Sequence, residues 1–371
     1  MKIVMFGHKR IPSREGGVEI VVEELSTRMA ALGHRVVCLN RGGHHVSGTE
    51  FDRQISGDFR GVGLKTLPTI DRKGLAAVSS SFFGALAAAF GNADVVHIHA
   101  EGPAFMCWLP RLLGKRVIVT VHGLDWQREK WKQGFGAKYI RLGEKMAVRF
   151  ADEIIVLSKG VQEYFRKECG RETVLIPNGI SRPNPRAPER IAAEYGLKKQ
   201  GYLLFLGRLV PEKGIHYLIE AFRKIQTDMP LVIAGGTSDT DEYGQQLKKA
   251  ASKDPRILFT GFVQGQMLEE LYSNAYLYIL PSDLEGMPLS LLEAMSYGNC
   301  CLVSDIPECA DVVEDHGVTF PRGNTEALKD RLQDLCDDPD RVEAYRKEAS
   351  DFICGRYNWD DVVQRTLNIY Q

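Results

Sequence analysis

The chain has no Cys-x-x-Cys pair, no internal repeat and no low-complexity tract, and its eight cysteines are scattered apart from the adjacent Cys300 and Cys301. That excludes a disulfide framework and a thiolate zinc site and leaves reduced core thiols. No apolar run exceeds the 18 residues GLAAVSSSFFGALAAAFG (74–91). With Gly at both ends and three serines inside, this stretch is expected as a packed or surface helix rather than a membrane span. The opening MKIVMFGHKR is too short an apolar run for a signal peptide, so it reads as a first strand and the chain as cytoplasmic. No G-x-G-x-x-G follows that strand; KIVMFGHKRIPSREGG has the wrong spacing, which argues against a dinucleotide oxidoreductase.

At 371 residues and 44% hydrophobic content, the chain is long enough for two domains with sizeable cores. Its net charge of −1 conceals an asymmetry: Met1 to Gly179 holds 26 basic and 18 acidic residues (+8), the remainder 21 and 30 (−9). The basic half suits an anionic surface or substrate. Short apolar runs alternate with helical periodicity, first KIVMFG, RVVCLN, DVVHIHA, RVIVTVHG and EIIVLS, then YLLFLGR, PLVIAGG, RILFTGFV, LYILPS and CCLVSD. This is the βαβ rhythm of buried parallel sheets, and two doubly wound α/β domains fit it, facing across a cleft and joined near Gly179 to Arg190. The expected domains are 1–180, 181–350, and a helical segment 351–371 packing back toward the first.

Ligands of such sheets lie at the carboxyl ends of the strands. After YLLFLG, the turn RLVPEKG carries Arg208 and Lys213 beside the amides of a helix start, an anion site that fits a diphosphate. The stretch PSDLEGMPLSLLEAMSYG carries Glu285 and Glu293 around another helix start. Pro288 is expected at the first helical position, with Leu289, Leu292 and Met295 as the buried stripe. Gly286 to Glu293 makes nearly two turns, so Glu293 is expected beneath the loop of Glu285, both carboxylates reaching one cavity. Amides from Met287 to Ser290 are available to phosphate oxygens, and carboxylates accept from paired hydroxyls. Acids beside amides and cations point to a nucleotide sugar.

At these residues the chain resembles the retaining GT-B glycosyltransferases of family 4, the glycogen-synthase-like group 1, of bacterial polysaccharide or glycolipid type. The likeness runs through SREGGVEIVVEELSTRMAALGHRVV, DVVHIHAEGP, TVHGLDW, IVLSKG, VLIPNGI, GRLVPEKGIHYLIEAF, GFV and LEGMPLSLLEAMSYG, the last with its E-x7-E signature. The resemblance implies Arg208 and Lys213 as the diphosphate clamp, Glu293 as the ribose ligand and Glu285 at the donor sugar's hydroxyls. It implies that the backbone of Gly286, Met287, Pro288 and Leu289 faces phosphate, and that Phe262 and Val263 receive the base. Gly16 and Gly17 would admit phosphate and sugar to the backbone, and His122 would lie near the reacting sugar. The implied activity is transfer of a sugar from a nucleotide sugar, UDP by default with GDP and dTDP open, to a glycan or lipid-phosphate-linked hydroxyl. Retention by front-face attack, with no metal cofactor, is implied as well.

Other signals compete. Asp239 and Asp241 form a D-x-D in a polar loop, where they also suit capping of the next helix. His97 and His99 share one side of a strand, and His44 and His45 adjoin, but no further ligand completes a metal site. They read as packing or acceptor-side residues. The stretch WQREKWKQGFGAKYIRLGEKMAVRF carries seven cations, Lys130, Lys132 and Arg141 among them, with aromatics interleaved. It suits a peripheral place at the inner membrane face or a lipid-phosphate acceptor, and matches no nucleic-acid module. A nucleotide-sugar 2-epimerase or a non-catalytic nucleotide-sugar binder are the alternative classes.

Overall fold

The computed structural model describes residues 1–43, 57–72, 74–127, 135–237 and 242–371. The chain divides into two compact units, Met1–Gly179 with Trp359–Gln371, and Ile180–Asn358.

In the first unit the strands are β1 (Lys2–Phe6), β2 (Arg35–Arg41), β3 (Gly57–Phe59), β4 (Val62–Leu67), β5 (Val95–His99), β6 (Arg116–Val121), β7 (Glu153–Val156) and β8 (Val174–Leu175). They form one sheet in the order β3-β4-β2-β1-β5-β6-β7-β8, parallel except for β3 against β4. The helices are α1 (Gly17–Ala31), α2 (Leu75–Phe90), α3 (Glu101–Ala104), α4 (Trp108–Leu112), α5 (Phe135–Phe150) and α6 (Lys159–Cys169). Central strands such as VVHIH are buried along their whole length because helices cover both faces. Ile3 of β1 lies opposite Val36 of β2 on one side and Val95 of β5 on the other. The chain therefore builds outward from β1 in one direction, then returns to build in the other. At that reversal the ends of β1 and β5 approach closely: a Cβ on Gly7, which has φ +104°, would lie 2.2 Å from the carbonyl oxygen of His99.

The second unit holds β9 (Leu203–Leu206), β10 (Leu231–Ala234), β11 (Ile257–Gly261), β12 (Leu277–Leu280), β13 (Cys300–Ser304) and β14 (Val318–Phe320), all parallel, in the order β11-β10-β9-β12-β13-β14. Its helices are α7 (Arg190–Tyr195), α8 (Ile215–Phe222), α9 (Glu242–Ala251), α10 (Gln266–Asn274), α11 (Leu289–Ser296), α12 (Pro307–Val313), α13 (Thr325–Asp337) and α14 (Pro339–Arg356). The reversal here falls between β9 and β12. A 3-10 turn, Pro211–Lys213, follows β9 and ends at Gly214, whose φ is +66°. A Cβ at Gly214 would lie 2.0 Å from the carbonyl oxygen of Pro281, so glycine alone lets this turn dock on the end of β12.

The chain then re-enters the first unit as α15 (Trp359–Tyr370). Tyr370 is buried and its hydroxyl lies 2.6 Å from His97 Nδ1, while the Arg116 guanidinium donates to the Ile369 carbonyl at 2.6 and 2.9 Å. The boundary expected at 350 needs correction. It falls inside α14, a continuous 18-residue helix started by Asp338 accepting from the Arg341 N–H and by Pro339 in the first turn, and the whole helix belongs to the second unit. Pro288 also differs from expectation: it caps α11 in an extended conformation, and the helix begins at Leu289.

Gly214→Ala should destabilise the second unit by on the order of 2–4 kcal/mol, from the left-handed backbone and the collision with Pro281 together. A guanidinium melt with an unchanged midpoint would show that the turn is not locked in this way.

Candidate active site

The candidate residues of the second unit gather at the ends of β9, β11 and β12, around the reversal point. Arg208 follows β9 and is half-buried. Lys213 closes the 3-10 turn and reaches the neighbouring strand end: its Nζ lies 2.6 Å from Glu285 Oε1, with both side chains largely buried. The Ser282 hydroxyl donates to the same oxygen at 2.6 Å. A pair this close and this dry loses much of its Coulomb screening, so removing one partner would strand a buried charge.

Glu293, in the middle of α11, has a separate partner. The Tyr272 hydroxyl, from α10, donates to Glu293 Oε2 at 3.1 Å, and the Tyr272 ring stacks on Tyr297 with centroids 5.5 Å apart and planes 14° apart. Leu289, Leu292 and Met295 are buried, as the helical stripe requires. The first turn of α11 is made by Leu291 and Leu292 donating back to the Pro288 carbonyl, which directs the preceding N–H groups of this terminus outward from the helix. Gly286 and Met287 form the loop before it, and Met287 is buried. Phe262 and Val263 lie half-buried in the loop after β11, with Phe262 against Gly236 at the end of β10.

In the first unit, Gly16 caps α1 in extended backbone that any residue adopts, and Gly17 begins the helix. Glu19 fills the space beside Gly16, its Oε1 accepting from the Lys9 N–H at 2.9 Å. His122 follows β6 and is nearly buried, its Nε2 lying 3.0 Å from His99 Nδ1. His99 stacks on His97 at 4.2 Å, and His97 Nε2 meets the Thr120 hydroxyl at 2.7 Å. Burial, reinforced by the neighbouring His122, holds His97 down to about 3; His99 is likewise driven well below its ordinary value by burial and by His97, His122 and His8. His97 and His99 are therefore neutral hydrogen-bonding rings, and in the His99–His122 contact one nitrogen donates and the other accepts. His8, at the end of β1, completes the cluster and bonds Asn40 through Nε2 at 2.9 Å. Glu101, after β5, is held well above the usual carboxylate range by burial, then by Asp125 and Glu144.

Tyr272, Ser282, His8 and Asn40 were not among the residues singled out from sequence. Arg141 lies with its guanidinium 4.3 Å over the Trp126 ring. Lys130, Lys132, His44, His45, Asp239 and Asp241 lie outside the described residues.

Residues 188–352 match the family described as glycosyl transferases group 1, and residues 15–182 match Glycosyltransferase Family 4. The chain is 27% identical to alpha-maltose-1-phosphate synthase of Mycolicibacterium smegmatis over 75% of this chain and 79% of that protein. Its fold is that of sucrose-phosphate synthase from Thermosynechococcus elongatus, with a TM-score of 0.84 and 21% identity over 100% of this chain and 98% of that one. It is also that of Anabaena Alr3699/HepE in complex with UDP and glucose, with a TM-score of 0.82 and 16% identity over 99% and 98%.

His97 gives a pH prediction. Its ring stays neutral in the folded chain to about pH 3 and titrates near 6.5 once unfolded, so the unfolded state binds more protons between those values. Stability therefore falls as pH drops from 6.5 toward 3, by at most about 1.4 kcal/mol per pH unit from this ring. Glu101, raised in the folded state, acts with the opposite sign and is common to both proteins compared. The denaturation midpoint of His97→Gln should fall less steeply with acid than that of the unaltered chain; parallel slopes would remove the assignment.

Proposed function

The chain belongs to glycosyltransferase family 4 and has the GT-B fold, and we propose that it transfers a sugar from a UDP-sugar to a hydroxyl of a growing or lipid-linked glycan, retaining the anomeric configuration and using no metal ion. Its family makes it a glycosyltransferase with a nucleotide-sugar donor. UDP is the default nucleotide, and a protein of the same fold is solved with UDP and glucose. The role in cell-surface polysaccharide or glycoconjugate synthesis, at the inner membrane face, extends the same reading.

The observation that carries the proposal is the Lys213–Glu285 pair at the reversal between β9 and β12. A diphosphate over the end of β9 meets Lys213 and Arg208, whose fixed charges favour its departure as positive charge grows at the anomeric carbon. Lys213 and Ser282 both bond Oε1 of Glu285, which orients the carboxylate and leaves Oε2 for a donor-sugar hydroxyl. Glu293, steadied by Tyr272, takes the ribose hydroxyls. The amides around Met287 to Leu289 face the phosphates, Phe262 and Val263 receive the base, and Gly16, Gly17 and His122 act from the first unit. In the front-face step, the bond from anomeric carbon to phosphate oxygen breaks. The bond to the acceptor oxygen forms on the same face, and the acceptor proton passes to the leaving phosphate. Neither a hydrolase-type nucleophile nor a second acid is required.

Nucleotide release from UDP-, GDP- and dTDP-sugars, with mixed lipid-phosphate and oligosaccharide acceptors, should occur from the UDP donor despite EDTA. Release that EDTA abolishes would defeat the metal-free reading and bring Asp239 and Asp241 forward, whereas donor interconversion without acceptor would indicate a 2-epimerase. Among variants, Glu293→Ala should raise the donor KM about tenfold or more, and Tyr272→Phe should raise it less with kcat kept. Glu285→Gln, which keeps the shape of the side chain, should lower kcat about a hundredfold; unaltered kinetics in both glutamate variants would sink the assigned roles.

A further inference from the structure

Helix α2 is built inside out. Its buried residues are Ser80, Ser81, Gly84, Ala85, Ala88 and Ala89, all small, while its large apolar side chains face outward. Phe82 is 44% exposed, Phe83 36% and Phe90 74%, with Leu75 and Val78 beside them. None of its 16 residues is charged. A helix on a water-facing surface carries polar residues on its outer side, and this one carries a ridge of large apolar groups spaced at three and four residues. Helix α4 packs against α2, and its end adds Leu112, 68% exposed, followed by Leu113. No described helix is long and apolar enough to cross a membrane, so the ridge is a surface feature.

The charge around the ridge identifies its occupant. α4 also packs against α5, so the three helices adjoin on one layer of the first unit. Along α5, Lys138, Arg141, Lys145 and Arg149 fall at intervals of three and four residues, which places them on one face, and all four are exposed. The single acid of α5, Glu144, is buried on the other side. Lys65 of β4, exposed, shares its sheet face with Leu67, which lies by Gly84 of α2, and the carbonyl of the exposed Arg72 accepts from the first N–H groups of α2. Between Arg60 and Arg116 the chain holds seven basic residues and three acidic ones. Of those acids, Glu101 is buried, Asp94 accepts from the Lys2 N–H, and Asp71 is exposed at the start of α2.

We propose that the α2–α4 ridge inserts into the headgroup region of an anionic bilayer while the basic stripe of α5 lies against the lipid phosphates. Apolar groups at interfacial depth, flanked by cations with no transmembrane segment, are the pattern of a protein that lies on a membrane. The surface belongs to the first unit and the Lys213–Glu285 pair to the second. It deepens the lipid-linked acceptor reading and rests on it for its purpose, not for its binding.

Flotation of the full chain with phosphatidylcholine vesicles, with and without phosphatidylglycerol, tests this. Binding should require phosphatidylglycerol and weaken as salt rises. Phe82→Ser with Phe83→Ser should reduce it about tenfold or more, and Lys138→Glu with Lys145→Glu should reduce it and flatten the salt dependence. Both variants replace exposed side chains, and unchanged melting curves establish that they fold. Absence of flotation by the unaltered chain, or equal flotation of the Phe variant, overturns the proposal. So does a dimer in sedimentation velocity that the Phe variant converts to monomer, since a second copy would then cover the ridge. Glu285→Gln should float like the unaltered chain, and donor binding should survive in the Phe variant; loss of transfer chemistry with flotation intact would fault the functional reading and leave the surface standing.

Discussion

In each unit a parallel sheet is wound outward from one strand, first to one side and then to the other, and this reversal is the constraint on which the sites depend. The strands that flank it, β1 with β5 and β9 with β12, end side by side without a crossover helix between them. Backbone fills the space instead. Gly7 sits against His99 and Gly214 against Pro281, contacts that a methyl group would break. Side chains that follow these strand ends are brought together from distant parts of the sequence: Lys213 and Glu285 in one unit, His8, His99 and His122 in the other. Their partnership follows from winding, since no helix face or hairpin joins them.

The second unit uses this arrangement to hold charge and the first to hold neutral polarity. Lys213 and Glu285 make an ion pair too buried for water to screen fully, and Ser282 fixes its acid end. The first unit instead holds His97 and His99, which burial keeps uncharged; His97 is hydrogen-bonded to Tyr370 and Thr120, and His99 to His122. A hydrogen-bonded neutral network in a dry interior is rigid because each broken bond leaves an unsatisfied polar atom.

Much of the fold was legible in the sequence because a strand buried on both faces must be mainly apolar: LLFL and LYIL are apolar or aromatic throughout, and VVHIH and RVIVTV are apolar except for His97, His99, Arg116 and Thr120. The helix at Glu293 was legible from its stripe of Leu289, Leu292 and Met295. Tyr272 was not legible: a tyrosine on an amphipathic helix reads as core, and only the fold sets its hydroxyl beside Glu293. The orientation of α2 was hidden for another reason. Periodicity separates apolar from polar residues, and in LAAVSSSFFGALAAAF the two faces differ mainly in side-chain size. The boundary at 350 missed because the chain crosses between units at Asn358 and Trp359, within a short turn between two helices.

The return of α15 makes the first unit discontinuous in sequence, while the second is one unbroken stretch. During synthesis the second unit has all its residues before the first is complete. Until the last turn of α15 has been made, His97 lacks Tyr370 and Arg116 lacks the Ile369 carbonyl. The order of translation thus allows the first unit, and the Tyr370 contact to His97 within it, to be completed only after every residue of the second has been made.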